Sequence, residues 1–149
     1  MTNVFLQNGG WIHPSLKYWN SSLWVWDNIA PGETLVIAPP SACVHADNKN
    51  KLVSKLYDEL EDPNCYWAKC EFPSFKDLEI WASIFSLSGL ESKPDRHRAI
   101  KACYIRYSRA WDTPTNCIAV PVVDRANHRP ISMRNAMVLL PSTNEGDVK

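Results

Sequence analysis

The stretch SFKDLEIWASIFSLSG, residues 74–89, constrains this chain more than any other. Phe75, Leu78, Ile80, Trp81, Ile84, Phe85 and Leu87 spread around most of a helical circumference, and Glu79, Ser83 and Ser86 leave only a narrow polar stripe. Ser74 and Asp77 resemble a capping box, and Gly89 stands where a C-terminal cap belongs. A helix that is apolar on nearly every side must be covered on nearly every side. It is therefore expected at the buried centre of the fold, beneath a sheet.

Candidate strands to cover it lie at both ends of the chain. NVFLQ reads as a short strand closed by Asn8-Gly9-Gly10, while SLWVWD and ETLVIA read as two strands separated by the Pro31-Gly32 turn. CIAVPVV and ISMRNAMVLL read as a hairpin, with Pro121 marking an edge or a bulge. The clearest helix is DNKNKLVSKLYDELED, where Leu52, Val53, Leu56, Tyr57 and Leu60 share one face and Asp47 is the expected N-cap. SKPDRHRAIKACYIRYSRAWD reads as a third helix, Pro94 in its first turn and Pro114 beyond its end, against a competing strand reading of 100–107. These elements predict an α+β fold: a mostly antiparallel sheet of about five strands with three packed helices. A single globular domain is expected over 1–141, followed by a loose tail over 142–149.

Composition narrows the class. Of 149 residues, 45% are hydrophobic and 21% charged, which suits a folded domain and excludes general disorder. No apolar run approaches the roughly 18–20 residues needed to span a bilayer. The N-terminus lacks a basic head and a signal-type apolar stretch, so a cytoplasmic location is expected, with the five cysteines reduced.

The formal net charge of zero conceals a segregation. Residues 47–91 hold nine acids and five lysines, whereas residues 92–134 hold nine bases and three acids, and all seven arginines lie in that second window. Guanidinium groups gathered in this way suit carboxylate or phosphate recognition. On the predicted third helix, Ile100, Cys103, Tyr104, Tyr107 and Trp111 share the face expected to be buried. Arg98, Lys101, Ala102, Ile105 and Arg109, flanked by Arg106, lie on the face expected outward. Ile105 would then be a dry anchor with a charged rim.

Tryptophan is the second signal. Trp24 and Trp26 are two apart, so in a strand both rings leave the same side of the sheet. Core is the preferred reading for Trp24, Trp26 and Trp81. Trp11 and Trp19 sit beside Gly9-Gly10, His13-Pro14 and Asn20, surroundings that suggest loops and hence contact surface.

Motifs for chemistry are sparse. Cys43 and His45, two apart, are the nearest approach to a catalytic pair, but such pairs usually converge from distant parts of a sequence. Cys65 and Cys70 are spaced for one half of a zinc site without a second close pair, so neither metal nor cofactor is expected. Phosphate-binding glycine loops are missing from the sequence.

The reading these observations give is a non-enzymatic protein-binding module, a small inhibitor or adaptor; an anti-defence protein of a mobile element is one such type, suggested by the small size and missing catalytic signature and by no particular residue. It would dock an acidic protein partner through Arg98, Lys101, Ile105, Arg106 and Arg109, together with Trp11 and Trp19. Nucleic acid bound by the 92–134 window is the alternative partner, disfavoured by the neutral total charge. A small enzyme using Cys43 and His45 is the third reading.

Overall fold

Asn8-Gly9-Gly10 ends a helix, α1 (Thr2–Gln7), where a strand was expected. The N–H of Gly10 bonds the Phe5 carbonyl at 3.0 Å and that of Gly9 bonds Leu6 at 3.1 Å, with Gly9 at a φ of 84°. That is a Schellman motif, which needs a left-handed residue just past the last turn, and glycine takes that conformation without steric cost. Gly10 is required for another reason: a Cβ there would come within 2.3 Å of the buried Phe5 ring.

The computed structural model describes residues 2–20, 22–85, 92–113 and 115–125. The chain divides into two compact units: residues 1–43 with 120–149, and residues 44–119.

In the first unit, β1 (Trp11–Ile12) follows α1, then β2 (Leu16–Trp19) and β3 (Ser22–Val25) form an antiparallel hairpin, and β4 (Val36–Ile37) pairs with β1. The expected turn before β4 is present: Glu33 N–H bonds the Ala30 carbonyl at 3.2 Å across Pro31-Gly32, with Gly32 at a φ of 86°. Phe5, Val36, Ala38, Val120 and Val122 are among its buried residues.

The second unit opens with β5 (Val44–Ala46) and α2 (Lys49–Glu59). Asn48 caps α2, its Oδ1 accepting the Lys51 N–H at 2.9 Å, while Asp47 instead pairs with the Lys51 ammonium at 2.7 Å. Leu52, Val53, Leu56 and Tyr57 are buried, as their spacing predicts. A 3₁₀ turn at Trp67–Lys69 and an extended run lead to α3 (Leu78–Phe85). α3 begins later than expected, because Asp77 Oδ1, at 3.1 Å from both Glu79 N and Ile80 N, is its cap.

α4 (Arg96–Arg109) is a helix, capped by Asp95 on the Arg98 N–H at 2.9 Å. It ends two residues before Trp111, and the chain passes directly into β6 (Ala110–Asp112) and then β7 (Cys117–Ala119). The strands order β5-β7-β6, all antiparallel, and β7, buried along its length, is the middle strand.

The fold is thus α+β, as the sequence predicts, but its described strands form three small antiparallel sheets of two, two and three strands in place of one sheet of about five. The second half of the expected 117–140 hairpin, the Gly89 cap and the 142–149 tail lie outside the described residues. Pro121 stands just past the end of β7, where Val123 N–H bonds back to its carbonyl at 2.8 Å.

The centre of the second unit is α4, not α3. Ala99, Ile100, Ala102, Cys103, Ile105 and Arg106 are all buried, and α4 packs against α2, α3, β6 and β7. Its alanines let these neighbours approach closely. On α3 only Phe85 is buried, and Ile80 and Ile84 are exposed. Trp81 and Phe85 stack on each other at 5.6 Å, Phe85 stacks on Tyr107 at 5.5 Å, and Phe75 meets Trp81 edge-on at 5.0 Å. Rings therefore hold α3 to α4 along one side.

Candidate functional site

The basic helix is built differently from its expected form. Ile105 is 0% exposed, so it is no surface anchor, and Tyr107, expected inside, is exposed. Ile100 and Cys103 are buried as expected, and the buried arc extends from them over Ala99, Ala102, Ile105 and Arg106 and not over Tyr107.

Arg106 is buried as well. Its Nη2 bridges both carboxylate oxygens of Asp112 at 2.9 and 3.0 Å, and Lys49 lies 3.6 Å from the same carboxylate. Partial burial pushes the Asp112 carboxyl up. A hydrogen bond from the Cys117 thiol and the charges of Arg106 and Lys49 outweigh that and hold it below the usual carboxylate range. Arg106 is thereby a structural cation.

The other bases of the expected rim lie on aromatic rings. The Arg98 guanidinium is 4.0 Å from the Tyr57 ring centroid, with the Lys93 ammonium at 5.1 Å from the same ring. Lys101 lies 5.2 Å and Arg109 5.8 Å from the Phe72 ring, and Arg109 also donates to the Glu71 carbonyl at 3.0 Å. Phe72 and Phe75 both contact Tyr104, and Phe75 contacts His97. The segment around Phe72 and Phe75 therefore lies along the α4 side that carries Lys101. These cations clamp α2 and the 71–77 run to α4.

A different surface presents itself on the hairpin. The register pairs Lys17 with Trp24 and Trp19 with Ser22, so these four side chains leave one face, and Leu16, Tyr18, Leu23 and Val25 leave the other. Trp26 N–H bonds the Ser15 carbonyl at 2.7 Å, which continues the ladder and places Trp26 beside Trp24 on the first face. Trp19, Trp24 and Trp26 are 59%, 43% and 60% exposed. The Trp19 and Trp24 rings meet at 5.6 Å with their planes 70° apart, and Trp24 Nε1–H donates to the Trp19 carbonyl at 3.0 Å. The Lys17 ammonium lies 5.0 Å from the Trp26 ring. Asn20, with a φ of 50°, turns the chain between the strands.

This corrects two expectations. Trp24 and Trp26 are surface residues, and Trp81 is half-buried. The two-residue spacing that places Trp24 and Trp26 together is visible in the sequence; their exposure is not. Trp11, also exposed, stands on β1 with its ring edge-on to His13 at 5.8 Å, so it belongs to a different sheet from Trp19. His13 in turn lies 3.2 Å from Glu33 and accepts the Ser15 N–H at Nδ1.

For chemistry, the cysteines are the candidates. Burial pushes the Cys43 thiol up to about 12, leaving it protonated and poorly nucleophilic near neutral pH. His45 is exposed on β5, opposite Ile118. Burial also raises Cys65, whose sulfur accepts the Ala68 N–H at 3.2 Å, and Cys70 is buried. Among the described residues no three His, Cys, Asp or Glu side chains gather as a metal site, and no helix is long and apolar enough to cross a membrane. No protein-family model matches the chain, and neither does any curated protein or solved structure.

Proposed function

We propose that this chain is a non-enzymatic protein-binding module whose partner docks on the tryptophan face of the β2–β3 hairpin. The observation that carries the reading is three exposed indoles on one side of a two-stranded sheet. Large apolar rings left in water are the usual anchors of protein interfaces, where a few aromatic residues supply most of the binding energy. Trp19 remains in the site expected from sequence, and Lys17, Trp24 and Trp26 join it. The arginines move to a secondary role, because Arg106 is paired internally and Arg98, Lys101 and Arg109 rest on rings of their own unit. The protonated Cys43 thiol weighs against the enzyme reading. Free cysteines throughout the described residues fit a reducing compartment, and a cytoplasmic location is part of the proposal.

The test is affinity capture with three baits: wild type, Trp19→Ala/Trp26→Ala, and Arg98→Glu/Arg109→Glu. A partner retained by wild type and by the arginine variant, and lost by the tryptophan variant, is the expected result. A partner lost only with the arginines would return the site to α4. Salt-sensitive binding of DNA or RNA to the wild type, with no protein captured, would favour the nucleic-acid alternative.

A further inference from the structure

The hairpin face is specific about what it can hold. Among the described residues, its groups beyond the three indoles are the Lys17 ammonium and the hydroxyls of Ser15 and Ser22, with Asp27 following Trp26 at an exposed position. One base against one adjacent acid makes the ledge close to neutral. A nucleic-acid strand needs several cations along its phosphates. An oligosaccharide needs side chains that hydrogen-bond its many hydroxyls, and an anionic membrane surface needs a basic cluster. What complements a neutral aromatic ledge is an uncharged apolar segment.

We infer that the ledge formed by Trp19, Trp24 and Trp26 binds a proline-rich segment in the polyproline II conformation. This rests on the reading of the hairpin as the contact surface. Trp19 and Trp24, with planes 70° apart, form the two walls of an open corner, and the Trp24 Nε1–H bond to the Trp19 carbonyl fixes one wall in advance. A pyrrolidine ring is flat, apolar and already rigid, so seating it in such a corner loses little conformational freedom. Trp26 supplies a second platform further along the same strand, about 6.6 Å from Trp24 by the two-residue repeat. Polyproline II makes no internal hydrogen bonds, and its carbonyls point outward. The indole N–H groups of Trp19 and Trp26 have no acceptor among the described residues and are the donors available to those carbonyls. Rings for rings and N–H groups for bare carbonyls is the matching by which aromatic grooves select proline-rich ligands.

The experiment is a titration of ¹⁵N-labelled full-length protein with capped decaproline, following the indole N–H resonances. A Gly/Ser decapeptide, oligo-dT and phosphatidylcholine vesicles are the comparison ligands. Saturable shifts of the Trp19 and Trp26 indoles with decaproline alone are expected, with the buried Trp67 indole unmoved as an internal reference. Trp19→Ala should weaken binding at least about tenfold, and Trp19→Phe should retain part of it, which separates a lost ring from a misfolded hairpin. Unmoved indoles at about 1 mM decaproline, or tighter binding of oligo-dT or vesicles, overturns the inference. If decaproline fails while a captured protein still requires Trp19, the hairpin remains a protein-binding face and only the proline-rich chemistry is wrong.

Discussion

Replacing Asp112 by alanine tests whether Arg106 belongs to the interior or to a binding surface. The Arg106 side chain is 7% exposed, and its guanidinium would lose the carboxylate that holds it at 2.9 Å. Stranding one member of a fully buried pair costs about 3–5 kcal/mol. Asp112 is itself 47% exposed, so water entering at its position restores part of that, and about 2 kcal/mol remains. For a chain of this length each kcal/mol moves the midpoint by about 3 °C, which predicts a fall of about 6 °C in thermal unfolding. The double variant Arg106→Met/Asp112→Ala removes the stranded charge while keeping most of the volume, and should lie within about 1 kcal/mol of wild type. The pH dependence has a definite sign. A carboxyl held below its unfolded value stabilises the fold above that value and ceases to do so as pH falls through the folded one. The difference between wild type and Asp112→Asn should therefore be flat from pH 7 to about 4 and close below that. An Asp112→Ala protein within about 0.5 kcal/mol of wild type would refute the reasoning and free Arg106 for another role.

Three further outcomes follow from the same geometry. Gly10→Ala should destabilise by about 2 kcal/mol or more in denaturant titration, because its methyl meets the buried Phe5 ring; a neutral change would mean that α1 shifts freely. Cys43 should resist iodoacetamide in the folded protein at pH 8, with a thiolate fraction of about 10⁻⁴, and react promptly in guanidinium; peptide mapping that finds rapid native labelling would revive it as a nucleophile. Trp19→Ala/Trp26→Ala should leave thermal stability within about 0.5 kcal/mol, since both rings are exposed, and a large loss would show them to be structural.

What the sequence discloses depends on whether one face of an element is unambiguously apolar. For α2 it is: Leu52, Val53, Leu56 and Tyr57 alternate with charged residues, and only one orientation buries them. For α4, Ile100 and Cys103 are buried as expected, but Tyr104 and Tyr107 on one side compete with Ala102 and Ile105 on the other, and periodicity cannot decide which way the buried arc extends. Side-chain size decides it, because helices approach most closely over alanine. The strong apolar pattern of 74–89 misleads for a related reason. Rings satisfy one another in pairs, so Trp81 and Phe85 need only the Phe75 and Tyr107 surfaces, and not a covering sheet. Within the site, the co-facial placement of Trp24 and Trp26 follows from period two, but whether they are exposed depends on what the rest of the unit lays over the hairpin. That is a property of the whole unit. The α1 helix shows the opposite failure: its signal is present in Gly9-Gly10, which serves a helix cap and a hairpin equally well.

The pairing of β5 with β7 bears on how such a chain can be assembled. Val44 and Ala119, the first and last residues of the second unit, sit directly opposite one another in the ladder. Facing residues of antiparallel strands are about 5 Å apart at Cα. The unit therefore begins and ends at one spot, like a loop drawn closed at its neck. Such a segment can be spliced into a host protein, or cut from it, with a linker of a few residues and no rearrangement of its own strands. The same closure permits a circular permutant whose original ends are joined across Val44 and Ala119 and whose new ends open in an exposed turn.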